Sequence, residues 1–354
     1  MIKKIYIDNY NSLVNFSIDL KKINILIGKN GVGKTSVFRA IEALSAFVSG
    51  HRSVDEIFLA STLTKWMRSD IQTFELYLDA SGHEYLYHLE IEYSADKRNK
   101  RVKKENVKYE KKDIFDAENG KVTLYNDSFA AGPVIVLDWN YSGVGMVADR
   151  HDNTLLSAFK REIAKVIVCS PKPYRIRNIV NIERRIPDYD FSQMGEILKW
   201  MMLEAPDKII SLNEEYRKIF PSFSRVYLSG GDSEKELNFA YNIEGKECSF
   251  RATDISDGER QLYILYMLAM YYFKEGYTLF IDEPDNYISI REIQPWCIKL
   301  EQISEDVPTA GQCLLVSHHG EVIDYLANSS GIWMSREGNY ITRITDAPHI
   351  SPDV

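Results

Sequence analysis

The chain has no apolar run long enough to cross a bilayer; the longest, residues 262–273, falls well short of the roughly 20 residues a spanning helix needs. The N-terminus, Met1-Ile2-Lys3-Lys4-Ile5-Tyr6, is basic, yet no apolar stretch of secretory-signal length follows it. No membrane segment is expected. Cysteine is also scarce. Cys169, Cys248, Cys297 and Cys313 form no C-x-x-C pair and have no histidine nearby at metal-ligand spacing, so they read as reduced core residues of a cytoplasmic protein. Positive charge is in deficit, with a net charge of -8, which excludes a molecule-wide electrostatic surface for DNA and leaves only local patches. At 354 residues and 45% hydrophobic composition, the chain is long and apolar enough for a sizeable core in one large domain or two ordinary ones.

What is present is a complete phosphate-binding signature. Gly28-Lys29-Asn30-Gly31-Val32-Gly33-Lys34-Thr35 fits G-x-x-x-x-G-K-[ST] at every fixed position, after the apolar run 23–27 and before a helix-like segment at 35–47. Glycines at these spacings let successive backbone N–H groups and a helix N-terminus converge on one anion. Lys34 is then placed for the β and γ phosphates and the Thr35 hydroxyl for magnesium, with Gly28, Asn30, Gly31, Gly33 and Ser36 completing the nucleotide contacts. A glycine turn that binds nothing would not need both flanking elements. The expected ligands are ATP and Mg2+.

Along the chain, residues 2–27 read as short strands. Residues 73–78 and 84–93 form a hairpin about Ala80-Ser81-Gly82, because Tyr85, Tyr87, Leu89, Ile91 and Tyr93 alternate with a mostly polar face. Residues 96–112 are basic, which fits either a phosphate-backbone contact or, given the acidic residues that follow, a solvated hairpin tip. Helices are expected at 153–166, 191–204 and 206–220, and strands at 134–137, 223–228, 237–243 and 248–252. Ser142-Gly143-Val144-Gly145 and Ser229-Gly230-Gly231 read as turns. The motifs divide the chain into an N-terminal lobe (1–95), an insertion with a helical lid and hairpin (96–250) and a C-terminal lobe (251–354).

The C-terminal lobe is dense with further signals. A short apolar strand at 277–281 ends in Asp282-Glu283-Pro284-Asp285, where Asp282 can hold magnesium and Glu283 can accept a proton from an attacking water. Upstream, Ile255-Ser256-Asp257-Gly258-Glu259-Arg260-Gln261 opens an apolar helix at 262–273, a second potential anion site. Downstream, a strand at 313–316 is followed by Ser317-His318-His319. A histidine there can contact a γ-phosphate.

Taken in this order, the motifs resemble an ABC-type ATPase head of the RecF, SMC and OLD-like branch, similar to stand-alone bacterial ATP-binding proteins encoded in phage-defence or DNA-maintenance operons. The resemblance covers 1–50 and 190–335 well, including Asp282-Glu283-Pro284-Asp285-Asn286-Tyr287 and Ile290-Arg291-Glu292-Ile293-Gln294-Pro295-Trp296, and 51–189 weakly. It implies an α/β P-loop NTPase fold with a mixed sheet, an antiparallel β subdomain and a helical insertion. It also implies ATPase activity and a homodimer or higher even oligomer, in which Ser256, Asp257 and Gly258 act on ATP held by the partner's Lys34 and His318 is the switch histidine. Asp257 and Glu259 stand where transporter-type ATPases carry glycine and glutamine, which fits the non-transporter branch. For the family's Q-loop glutamine only Gln72, before a strand, offers itself, and too few residues follow His319 for the nuclease domain of OLD proteins.

The resulting expectation is an ATP-driven switch whose output belongs to a separately encoded effector, a nuclease or toxin, in anti-phage defence. A DNA-binding repair ATPase, a transporter nucleotide-binding subunit and an assembly scaffold with little turnover are the alternatives.

Overall fold

A computed structural model describes residues 1–50, 52–231, 234–318, 320–338 and 340–346. The chain is mixed α/β and divides into two compact units, one of residues 1–166 with 331–354 and one of residues 167–330. Among the described residues no helix is long and apolar enough to cross a membrane.

The first unit is built on an eight-stranded antiparallel sheet in the order Phe16–Asp19, Ile2–Asp8, Ile71–Ala80, His83–Tyr93, Lys100–Tyr109, Lys112–Glu118, Lys121–Tyr125, Ala131–Val136. The alternation seen in the sequence is the burial pattern: Tyr85, Tyr87, Leu89, Ile91 and Tyr93 are all buried, as are Phe74, Leu76 and Leu78 of the preceding strand. Helix Thr154–Ala164 covers this face, its Phe159 ring 5.5 Å from that of Tyr87. Helix Lys34–Val48 joins the same core through Phe47, which meets Phe58, and Phe58 meets Phe74. Strand Ile23–Ile27, buried at every residue, pairs in parallel with Gly331–Glu337, which in turn pairs antiparallel with Ile341–Thr345.

The basic stretch lies differently from a free hairpin tip. Lys97, Arg98 and Lys111 lie in turns, whereas Lys100–Tyr109 is an interior strand of the sheet. Three of its cations face carboxylates across the strands, Arg101 to Glu92 at 2.7 Å, Lys103 to Glu90 at 3.5 Å and Lys108 to Asp113 at 3.7 Å, and Lys100 meets Asp55 of the short helix Val54–Ile57 at 3.4 Å. Cross-strand pairing, invisible in a linear charge count, accounts for Arg101, Lys103 and Lys108.

The same strand buries Glu105 completely. Its carboxylate accepts from the hydroxyls of Tyr87 at 2.9 Å and Ser142 at 2.6 Å and from the N–H groups of Gly143 at 2.7 Å and Val144 at 3.3 Å. Burial raises the Glu105 pKa against the pull of these bonds. Ser142-Gly143-Val144-Gly145 is thus a short helical turn capped by Ser142, with Gly143 too close to Phe115 to carry a side chain.

In the second unit, strands Thr278–Asp282 and Gln312–Val316 lie parallel and in register, every residue of both buried. A separate antiparallel sheet has Lys235–Ile243 paired with Phe223–Gly230 on one side and with Lys246–Arg251 and the short Ile179–Val180 on the other. Tyr216, Phe223, Phe239 and Tyr263 form one aromatic cluster, with ring centroids 4.8–6.2 Å apart. It ties this sheet to helices Pro206–Ile219 and Asp257–Met267. The apolar run expected as one helix at 262–273 is in two parts: the α-helix ends at Met267, and Leu268–Phe273 is a π-helical turn. The run is buried at every residue except Met270, so its periodicity carried no sign of the change. All four cysteines are unpaired; Cys169, Cys297 and Cys313 are buried as expected, whereas Cys248 is half-buried because its strand, Lys246–Arg251, lies at the edge of its sheet.

Glu105→Ala would leave four buried donors without their acceptor, with an expected loss on the order of 3 kcal/mol of unfolding free energy. Urea unfolding of the purified variant measures it; a loss within experimental error of zero would show the network to be dispensable.

Candidate nucleotide site

The phosphate loop belongs to the first unit. Its backbone is left-handed at Gly31 (φ 78°) and Gly33 (φ 110°), conformations that L side chains resist. Gly33 is further confined, because a Cβ there would lie 2.7 Å from Thr342 Oγ1 and 2.9 Å from Ser12 Oγ. Gly28 is confined by its neighbour strand, where a Cβ would lie 2.5 Å from the Met334 carbonyl oxygen. The loop is therefore held from two distant parts of the chain. The Thr342 hydroxyl donates to the Val32 carbonyl at 2.6 Å and shares a hydrogen bond with Ser12 Oγ at 2.8 Å, while the Thr342 N–H donates to the Ser12 carbonyl.

Lys34 is nearly buried, and its ammonium donates to the carbonyl oxygens of Gly28 at 2.6 Å and Lys29 at 3.2 Å, spanning the loop it follows. Asn30 and Thr35 are exposed, and Ser36 accepts a 3.4 Å contact from Asn11 Nδ2. The helix beginning at Lys34 has no side-chain cap and no acidic residue in its first turn. Its N-terminal dipole therefore favours an anion, and the loop's confined glycines supply a cradle that a polyphosphate fits.

Gln72 is not available as a Q-loop residue. It lies within strand Ile71–Ala80, fully buried, its Nε2 donating to the Asn9 carbonyl and to Thr62 Oγ1 and its Oε1 accepting from the Tyr93 hydroxyl. Its role is structural.

The other motif residues belong to the second unit, where the parallel register brings them together. Asp282 pairs with Val316, so Glu283 and His318, which follow these strand ends, become neighbours. His318 Nε2 lies 4.0 Å from Glu283 Oε1, both side chains being partly exposed. His319 lies outside the described residues. Asp282 is 8% exposed, and after burial itself its charge is what pushes up the Cys169 thiol.

Glu283 has a left-handed backbone, φ 54°, unusual for a side-chain-bearing residue and costing about 1–3 kcal/mol where it occurs. Its N–H donates to the Val316 carbonyl at 2.8 Å, and its Oε2 accepts from Asn286 Nδ2 at 2.8 Å. Four residues later Tyr287 is left-handed as well, φ 71°. Two left-handed residues thus fall within one turn directly after a buried strand.

That turn rests on the helix Asp257–Met267. A Cβ on Gly258 would lie 2.8 Å from the Tyr287 carbonyl oxygen, so glycine is required here by packing. Ser256 caps the helix in a reciprocal box with Glu259: the Glu259 N–H donates to Ser256 Oγ, and Glu259 Oε2 accepts from the Ser256 N–H and hydroxyl. Asp257 is ion-paired with Arg260. The hydroxyls of Tyr216, on helix Pro206–Ile219, and Tyr241, on strand Lys235–Ile243, hold Glu259 through its carbonyl and its Oε1 respectively.

Among the described residues no group of three or more His, Cys, Asp or Glu side chains could hold a metal ion unaided. Magnesium prefers hydroxyl and carboxylate oxygens, the donor types that Thr35 carries in the first unit and Asp282 in the second.

Residues 1–131 match the family model of an AAA ATPase domain. The match contains the phosphate loop and none of Ser256, Asp282, Glu283 or His318. The solved structure described as "SMC head domain from Thermotoga maritima" is similar to this chain with a TM-score of 0.47 and 14% identity, over 97% of this chain and 98% of that one. No curated protein matches.

Sequence reasoning missed Ser12, Thr342 and Asn286. Asn286 stands within the motif stretch and could have been read from it; Thr342 lies about 310 residues from the loop it braces and left no local signal. Thr342→Val keeps the volume but removes the bond to Val32, so a loss of about 1–2 kcal/mol of stability is expected, together with weaker retention of nucleotide. Unfolding and nucleotide titration of the variant check both, and unchanged nucleotide binding would show that the loop does not depend on this brace.

Proposed function

We propose that this chain binds ATP with magnesium and hydrolyses it, and that the cycle works as a switch between a closed pair of chains and an open one. The observation that carries the reading is the phosphate loop: confined glycines, a lysine folded over them and an uncapped helix N-terminus, within the segment similar to an AAA ATPase domain. In this reading Gly28, Asn30, Gly31, Gly33, Lys34, Thr35 and Ser36 bind the nucleotide, and Thr35 and Asp282 hold magnesium. Glu283 orients and deprotonates the attacking water, and His318 contacts the γ-phosphate. Magnesium, when bound, offsets the charge developing on the phosphate oxygens.

In the proposed closed form the Ser256-Asp257-Gly258 turn of each chain meets ATP held by the partner copy, and the Ser256–Glu259 capping box opens to release the Ser256 N–H and hydroxyl for it. Each γ-phosphate then adds ligands on two chains, and hydrolysis removes them. For the output, we favour a separately encoded effector protein in anti-phage defence over direct action on DNA. The ion pairing of Lys100, Arg101, Lys103 and Lys108 supports this preference, because cations already matched by carboxylates release few counterions from a nucleic acid.

Lys34→Ala is expected to abolish ATP binding. Glu283→Gln is expected to retain binding, lower turnover by about 100-fold or more, and accumulate a dimer with ATP. Turnover and molar mass, measured with and without duplex DNA, decide the matter: turnover raised several-fold by DNA would favour the repair reading, and an assembly in Glu283→Gln that ignores ATP would remove the switch.

A further inference from the structure

We propose that Gln261 is a positioning residue for Glu283, fixing the strained turn that aims the catalytic carboxylate; this rests on Glu283 being the general base of the reading above. Gln261 lies one helical turn after Gly258, on the same face of Asp257–Met267, and is completely buried. Its Nε2 donates to the carbonyl oxygen of Pro284 at 3.0 Å. Among the described residues its Oε1 has no hydrogen-bond partner. The amide thus serves as a donor only, and its orientation is forced, since an amide oxygen could not bond to a carbonyl.

The position of that bond gives it consequence. Glu283 is held before its Cα by the Val316 carbonyl, and proline fixes φ at the next residue. The freedom that remains lies in the peptide unit joining residues 284 and 285, whose oxygen Gln261 holds. Gly258 beneath the Tyr287 carbonyl supports the far end of the same turn. With the amide removed, the peptide can rotate, Glu283 can relax from its left-handed conformation, and its carboxylate leaves the position that Asn286 and the strand end define. Because both supports come from the helix headed by Ser256, the proposed trans contact and the proposed base share one rigid element.

The test is Gln261→Met in the full chain, which preserves length and burial while deleting the donor and the unpartnered acceptor. Turnover at saturating ATP should fall at least tenfold, with ATP affinity within twofold of wild type and the thermal midpoint unchanged or raised. In a Glu283→Gln background the same substitution should cause no further loss. Undiminished turnover, a loss of equal proportion in the Glu283→Gln background, or a midpoint that falls together with ATP affinity would each overturn the assignment. Should Gln261→Met fail to fold, Gln261→Leu carries the same expectation. If Glu283→Gln itself turns over ATP at the wild-type rate, the proposed role of Glu283 is what fails, and that single variant reports it independently.

Discussion

A left-handed glycine pressed from behind is the constraint on which the nucleotide site depends. At Gly33 the backbone must turn through φ 110° while Ser12 and Thr342 occupy the space a side chain would need. A flexible glycine alone would sample many conformations and present a poor anion cradle, since glycine loses the most entropy on ordering. Here the ordering comes from a loop near the N-terminus and from the strand Ile341–Thr345, which also forms a sheet with the strand alongside Ile23–Ile27. The loop is thereby built into the sheet whose strand leads into it.

The second unit uses the opposite device. Where the phosphate loop employs glycines to reach left-handed geometry without strain, the 283–287 turn reaches it twice with side-chain-bearing residues, Glu283 and Tyr287. Such strain persists only where the surroundings over-determine the backbone. The surroundings are specific: a parallel strand carbonyl, an asparagine within the turn, a proline, and a helix that offers a glycine and a buried glutamine amide. The aromatic cluster about Tyr216 and Tyr263 in turn anchors that helix to its own sheet, so the turn inherits the rigidity of a packed core.

Much of this was legible in the sequence for definable reasons. Period-2 alternation marked the 84–93 strand because one face of its sheet is buried, and the helix at 206–219 was bounded by Pro206 in its first turn and Pro221 after its end, whereas the helix read from 191 begins at Met194. The basic stretch misled because charge neutralisation occurs between strands rather than along one. Gln72 misled because a glutamine before a strand gives no hint that Asn9, Thr62 and Tyr93 will surround it. The π-helical turn was hidden by uniform hydrophobicity.

The sequence alone determined the phosphate loop, the acidic strand end and the Ser256 helix start, because each is a local pattern whose chemistry resides in consecutive residues. Tertiary structure alone decided what holds those patterns in shape. Thr342 under the loop, Val316 above Glu283, and Gln261 against Pro284 join residues 23 to about 310 positions apart, and contacts of that kind follow from strand register and helix docking, which no short stretch of chain encodes.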